Sequence, residues 1–294
     1  MNNYVRFKKK MNKKQTILLT IIDMQNDFCD TPPEYISDNY TPSLPLPGAH
    51  CDALRVSNLI RYADYKITDI QIFMDTHHRL DIGHFDFWKK ADNSSIIEIT
   101  AISKNDVVSG KYVPINTAVI PHVLKYFEQL YSVDIHEIYV YPAHCELGSI
   151  GHALHPDIHK SLVQWQIRNH TVAEFIMKGE NPLTENYSGL RSVYQDINIP
   201  STLLNKDAVY EYINHDITVF VGEASTHCVW AHIKDAWEAV YEIDNSFDFS
   251  RFVILTDCMS PVPGYRNEVS EFLAFAAAAG MRVMTHIDFL LSEY

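Results

Sequence analysis

The sequence predicts an α/β protein of three layers, α/β/α, with helices on both faces of a mostly parallel central sheet. Two observations carry that prediction. Apolar runs rich in β-branched residues recur at 16–23, 68–74, 137–141, 171–177, 217–221, 252–256 and 282–285, each about one strand long. Between most of them, at 53–65, 118–131, 150–168, 227–241 and 268–279, apolar residues fall at helical spacing. Strands joined by helix-length crossovers pair in parallel, and the crossovers cover both faces of the sheet. A third observation places the ligand crevice. Irregular stretches at 29–48, 79–114 and 180–200 follow the first, second and fourth strands. Long loops at the carboxyl ends of parallel strands are where such sheets bind ligands.

Composition bounds the partners. The chain has 294 residues, 47% of them hydrophobic and 21% charged, with a formal net charge of −13. Six cations before Thr16 (Arg6, Lys8, Lys9, Lys10, Lys13 and Lys14) leave −19 on the remainder. A surface that acidic repels phosphate backbones and anionic membrane faces, so neither nucleic acid nor membrane is an expected partner. The opening 1–15 reads as a basic disordered leader, with Met11 a candidate start, and 16–294 as a single domain with long inserted loops. Five cysteines without a CxxC pair suit a reducing compartment, hence a cytoplasmic location.

Each strand is then followed by what it delivers. The first ends on Asp23, with Gln25, Asn26 and Asp27 behind it. A carboxylate closing a buried strand costs free energy unless something pairs with it or uses it. The fourth ends on Lys178 and Gly179, the same problem with the opposite sign. The fifth runs through Gly222 into Glu223–Ala224–Ser225–Thr226–His227–Cys228, and Val229, Ile233, Ala236 and Val240 continue at helical spacing. Cys228 is therefore expected in the first turn of a helix, where unpaired N–H groups and the macrodipole favour a thiolate. Taken singly, each has a structural explanation: a packed cysteine, an acid bonded to backbone, a lysine reaching solvent.

Together these residues resemble the cysteine hydrolases of the isochorismatase-like superfamily, nicotinamidases and related amidases in particular. The resemblance runs from about residue 16 to about residue 288, on "DMQNDF" at Asp23, "KG" at Lys178 and "GEASTHCV" at Cys228, with "PAHCELGSIGHAL" between the first two. It implies a triad in which Asp23 takes the thiol proton, Cys228 attacks an amide carbonyl and Lys178 balances their charge. It also implies an oxyanion site formed by the backbone N–H groups of Ala224 and Cys228, with a cis peptide between Glu223 and Ala224. The implied reaction converts a small carboxamide, most simply nicotinamide, to its acid plus ammonia through a thioester. A carbamoyl or ureido amidase, an isochorismatase-type hydrolase and a non-catalytic scaffold are the alternatives.

A divalent metal is implied as well. Asp75 and His77 match the family's Asp-x-His pair, and His144 of "YPAHC" its last histidine. The family spacing puts the middle histidine near Asp81; His84 is the nearest candidate, and His78 competes, although adjacent side chains of an extended segment point apart. Such ligands suit Zn, Fe or Mn, positioned to grip a ring nitrogen or water. No organic cofactor is expected. Phe28 and Tyr141 occupy family pocket positions, Trp88 is expected on the same wall from its place in the loop, and Glu185, Asn186 and Tyr187 at the entrance. Cys29, Cys51, Cys145 and Cys258 are expected to pack, and His152, His155, His159, His227 and His232 to be satisfied surface or helix histidines. The resemblance further implies a homo-oligomer.

Overall fold

β1 (Ile17–Ile22) is six apolar or β-branched residues, all buried, and a strand buried on both faces belongs inside a covered sheet. The computed structural model describes residues 15–36, 40–63 and 65–293; the basic leader lies outside them apart from Gln15. Among the described residues the further strands are β2 (Ile67–Asp75), β3 (Trp88–Lys90), β4 (Thr100–Ser103), β5 (Tyr112–Pro114), β6 (Glu137–Val140), β7 (Glu174–Lys178), β8 (Ile217–Gly222), β9 (Phe252–Leu255) and β10 (Arg282–Met284). The helices are α1 (Ala49–Tyr62), α2 (Lys104–Val108), α3 (Ile120–Ser132), α4 (Pro156–Asn169), α5 (Lys206–Asn214), α6 (Cys228–Ile243), α7 (Arg266–Ala278) and α8 (His286–Leu291).

Six strands form one sheet in the order β10-β9-β8-β1-β2-β7, and every neighbouring pair is parallel. Side chains of β1 alternate between its faces as a pleated strand requires. Ile17, Leu19 and Ile21 pack with α1, α4 and Phe289 of α8, whereas Leu18 and Ile22 pack with α5, α6 and α7. This is the three-layer α/β/α architecture the sequence predicts. The chain winds outward from β1 through β2 to β7, then returns to place β8 on the other side of β1. β1 and β8 thus flank the topological switch point, where the ends of parallel strands open a crevice.

Three expectations are corrected. The run at 137–141 is not a strand of the central sheet: β6 pairs antiparallel with β4. Its burial alternates, Glu137 and Tyr139 outward and Ile138 and Val140 inward, so it covers a core on one face only. The stretch 79–114 is not merely irregular, since it holds β3, β4, β5 and α2. With α3 and β6 these build a separate cluster around Trp88, Ile102, Tyr126, Phe127 and Val140. The helix expected from 150 begins only at Pro156, whose fixed φ suits a first helical turn, with His155 as N-cap.

Candidate active site

Four adjacent strands, β8, β1, β2 and β7, each deliver one chemical group at their carboxyl ends. Asp23 follows β1 with φ of 51°, a left-handed conformation tolerated by Asp, and its N–H donates to Phe73 O at 3.0 Å. Lys178 ends β7 directly beside Asp75, which ends β2. Cys228 opens α6, brought back over the sheet by the turn that follows β8. Gly222 makes that turn possible: its φ is +140°, and a Cβ there would sit 2.1 Å from Ile22 O of the neighbouring strand.

The structure brings Asp23, Lys178 and Cys228 together. Lys178 Nζ lies 3.0 Å from Asp23 Oδ2, 2.8 Å from Asp75 Oδ1, 2.9 Å from the Asn186 carbonyl and 3.7 Å from Cys228 Sγ. An ammonium has three protons, and they go to Asp75 Oδ1, the Asn186 carbonyl and Cys228 Sγ, with Asp23 facing the charge as an ion-pair neighbour. Asp23 is 0% exposed and Lys178 3%. Burial pushes the Asp23 carboxyl up to about 7 against the opposing pull of Lys178. Burial likewise lifts the Cys228 thiol well above the usual thiol range, with Lys178 pulling it down. Burial works against the Lys178 ammonium too, but Asp23 and Asp75 outweigh it and keep it charged. The resting sulfur is thus a neutral thiol beside a carboxyl able to take its proton near neutrality.

Around Cys228, the peptide joining Glu223 and Ala224 is cis. Among the described residues no acceptor meets the N–H of Ala224 or Cys228. The motif behind Asp23 braces the rest. Gln25 exchanges two hydrogen bonds with the Asp75 backbone, Nε2 to its carbonyl at 2.8 Å and Asp75 N–H to Oε1 at 2.7 Å. Asp27 accepts the Cys145 N–H at 2.7 Å and the Tyr40 hydroxyl at 2.7 Å.

Beside the triad stand His77, His84 and His144, whose rings form a near-equilateral triangle with centroid separations of 4.7, 4.9 and 4.8 Å. One ligand atom from each lies within 4.8 Å of the others. Asp75 Oδ2 joins them, 3.0 Å from His77 Nε2 and 3.5 Å from His144 Nε2. The opposite ring nitrogens are all engaged: His77 Nδ1 by the Asp81 carboxylate at 3.0 Å, His84 Nδ1 by the His78 carbonyl at 3.1 Å, His144 Nδ1 by the Pro142 carbonyl at 2.9 Å. Outer partners of this kind fix which nitrogen faces a metal, so the four residues fit a divalent cation. His84 completes the group, and His78 contributes its backbone carbonyl instead. Asp81, at the family's usual histidine position, backs His77. Sequence spacing alone could not reveal that role.

A cavity of about 270 Å³ opens between these groups, with Phe28, Tyr141, Tyr187, Ile99, His227 and Val262 on its walls. Glu185 and Asn186 also face it. Trp88 does not, which corrects that expectation: it is buried in the cluster of the 79–141 excursion, where Nε1 donates to Ile82 O at 2.8 Å. A large apolar ring with one donor stabilises most when buried and bonded, and here the short 3-10 turn and β3 carry it away from the crevice. Cys51 is a second correction, being exposed, while Cys29, Cys145 and Cys258 are buried. His152, His155 and His232 are interior rather than surface residues, partnered by Thr76, His50 and Tyr212.

No family model matches the sequence, and no curated protein does either. The fold is shared with solved hydrolases: the chain has the three-layer α/β/α architecture of the nicotinamidases. A nicotinamidase/pyrazinamidase of Acinetobacter baumanii has 14% identity and a TM-score of 0.59, covering 95% of this chain and 100% of its own. The yeast nicotinamidase bound to the inhibitor nicotinaldehyde has 17% identity and a TM-score of 0.57, over 92% of this chain and 99% of its own. A pyrazinamidase of Pyrococcus horikoshii in complex with zinc has 17% identity and a TM-score of 0.50, over 92% and 98%. At these identities the likeness is one of fold.

Proposed function

We propose that this chain is a cysteine amidohydrolase that converts a small aromatic carboxamide, most simply nicotinamide, to the carboxylate and ammonia. The observation that carries the reading is Lys178 Nζ, 3.0 Å from Asp23 Oδ2 and 3.7 Å from Cys228 Sγ. An acid, a cation and a thiol buried together have few structural uses, because isolating such charges from water costs several kcal/mol per ion, roughly. As the sulfur attacks the carbonyl carbon, its proton passes to Asp23 and the S–C bond forms. The oxyanion takes the unclaimed N–H groups of Ala224 and Cys228. Asp23 returns its proton to the leaving nitrogen, the C–N bond breaks and ammonia departs. Water, deprotonated by the same carboxylate, then cleaves the thioester and restores the thiol.

Asp75, His77, His84 and His144 would hold a divalent cation, which supplies a Lewis-acid grip on a ring nitrogen or water. The cavity of about 270 Å³, walled by Phe28, Tyr141 and Tyr187, suits a single flat ring. Ammonia release from a panel of amides tests the reading. Nicotinamide is expected to be hydrolysed, and Cys228→Ala to lower kcat by roughly 10⁴-fold or more. Release from carbamoyl compounds alone would move the substrate class, and release from no amide would overturn the proposal.

A further inference from the structure

Glu223 interrupts an apolar strand end and is buried at 1% exposure, one residue before the expected oxyanion donor. Nothing in the triad uses it, so its partners must account for it. Glu223 Oε2 accepts the Ser260 N–H at 3.0 Å. Ser260 in turn accepts the Ser225 N–H on its carbonyl at 2.9 Å and donates its hydroxyl to Asp52 Oδ2 at 2.5 Å. Ala224 is therefore bracketed on both sides by one residue: the side chain before it and the backbone N–H after it both end on Ser260. Glu223 N–H adds a bond to Ile22 O at 2.9 Å, and Gly222 N–H one to Cys258 O at 3.1 Å.

Asp52 anchors the bracket to α1. It is 4% exposed, and Arg55 Nη1 binds its Oδ1 at 2.8 Å. Gly48, before the first turn of α1, leaves the room that Ser260 needs: a Cβ there would stand 2.8 Å from Ser260 Oγ. Both carboxyls thus meet at Ser260, Glu223 on its N–H and Asp52 on its hydroxyl. Among the described residues Glu223 Oε1 meets no donor, and a buried carboxylate oxygen left so is costly. Burial, then the Asp52 charge, raise Glu223 well above the carboxylate range. Asp30 adds to that rise, and the thiols of Cys29 and Cys258 lie in the same electrostatic neighbourhood.

We propose that Glu223 is the positioning residue of the oxyanion site: its carboxyl, tied to Ser260, which Asp52 anchors in turn, holds the peptide that carries the Ala224 N–H. The inference rests on the amidase reading and deepens it. Glu223 touches no reacting atom; it acts through the orientation of its neighbour's N–H. Gln in its place would keep the bond, its oxygen accepting from the Ser260 N–H. Ala would free the peptide.

The test is steady-state ammonia release from nicotinamide by the full chain and its Glu223→Ala, Glu223→Asp and Glu223→Gln variants, with pyridine-3-carbaldehyde and nicotinate as inhibitors. Losing an oxyanion donor outright costs about 10²–10³ in kcat, so a displaced one is expected to cost Glu223→Ala about 10- to 100-fold, with KM within about twofold. The aldehyde, whose adduct with Cys228 carries an oxyanion, weakens by a similar factor; planar nicotinate does not. Glu223→Gln recovers most of the loss. Should Glu223→Ala fail to fold, Glu223→Asp, one methylene short of its partner, is read in its place. The inference is overturned if kcat stays within about twofold in the folded variants, if KM rises as much as kcat falls, or if Gln is as impaired as Ala. A wild-type chain that releases no ammonia from any amide sinks the amidase reading itself, and the oxyanion role with it.

Discussion

Asp23, Lys178 and Cys228 share a water-poor site, and burial decides the protonation at which each works. With Asp23 held at about 7, its base form is populated only as pH rises through neutrality. The proposed reaction needs that form to receive the thiol proton. kcat/KM is therefore expected to climb with pH along a limb of unit slope centred near 7, falling about tenfold per unit well below it. A pH profile on nicotinamide checks this; a midpoint near 4 would mean Asp23 is not the limiting base. Lys178 and Cys228 separate by their effect on stability. Lys178→Met leaves the Asp23 and Asp75 carboxylates facing each other without a cation, which is expected to cost about 3–5 kcal/mol as well as activity. Cys228→Ala removes only a half-buried sulfur and should abolish activity with little change in the denaturation midpoint. Equal destabilisation by both would contradict the assignment of charge in this site.

At the level of elements, β8 and the excursion between β2 and α4 behave differently. β8 approaches β1 through a residue without a side chain, so Gly222→Ala drives a methyl into the Ile22 backbone at an unfavourable φ. A loss of at least about 3 kcal/mol is expected in chemical denaturation. Trp88 offers the contrasting case, a core residue of the excursion. Trp88→Phe should lower the melting temperature through the lost bond to Ile82 O while KM for the amide stays within about twofold; a KM rise of tenfold would return it to the pocket wall. The same contrast shows what could be read from the chain. Continuous apolar runs such as Ile17–Ile22 and Ile217–Gly222 announce parallel strands covered on both faces, and they carry the triad with them. The run at 137–141 has similar composition, but its alternation, with Glu137 and Tyr139 outward, belongs to a one-faced antiparallel strand. His84 was reachable because an imidazole three residues off the usual spacing can still turn inward on a loop. Asp81, which backs His77, and Ser260, which reaches Glu223 across the sheet end, depend on tertiary folding that no local pattern records. Glu223 itself left a signal, an acid in the otherwise apolar "VFVGEAS".

In the whole molecule, the imidazole cluster is also a mechanical junction. Asp75 ends β2 of the central sheet and His77 follows it, whereas His84 lies in the excursion that folds around its own apolar cluster and His144 in the loop that returns from it. Loop bonds fasten the two, among them His77 N–H to the Cys145 carbonyl at 3.1 Å and Ile82 N–H to the Pro182 carbonyl at 2.9 Å. A cation held by these four side chains would add a link between the two cores, bound only when the excursion is docked. Ligands that bind the folded state alone stabilise it by about 2.7 kcal/mol at a hundred times Kd. Dialysis against a chelator is therefore expected to lower the melting temperature by several degrees, and zinc, iron or manganese to restore it. His84→Ala should show the lowered temperature from the start and lose its response to chelator, because the same link has already been cut. The non-additivity distinguishes a shared junction from general damage: two independent losses would sum, whereas one link can be removed only once. Full additivity of chelation and His84→Ala would place the stabilising cation elsewhere.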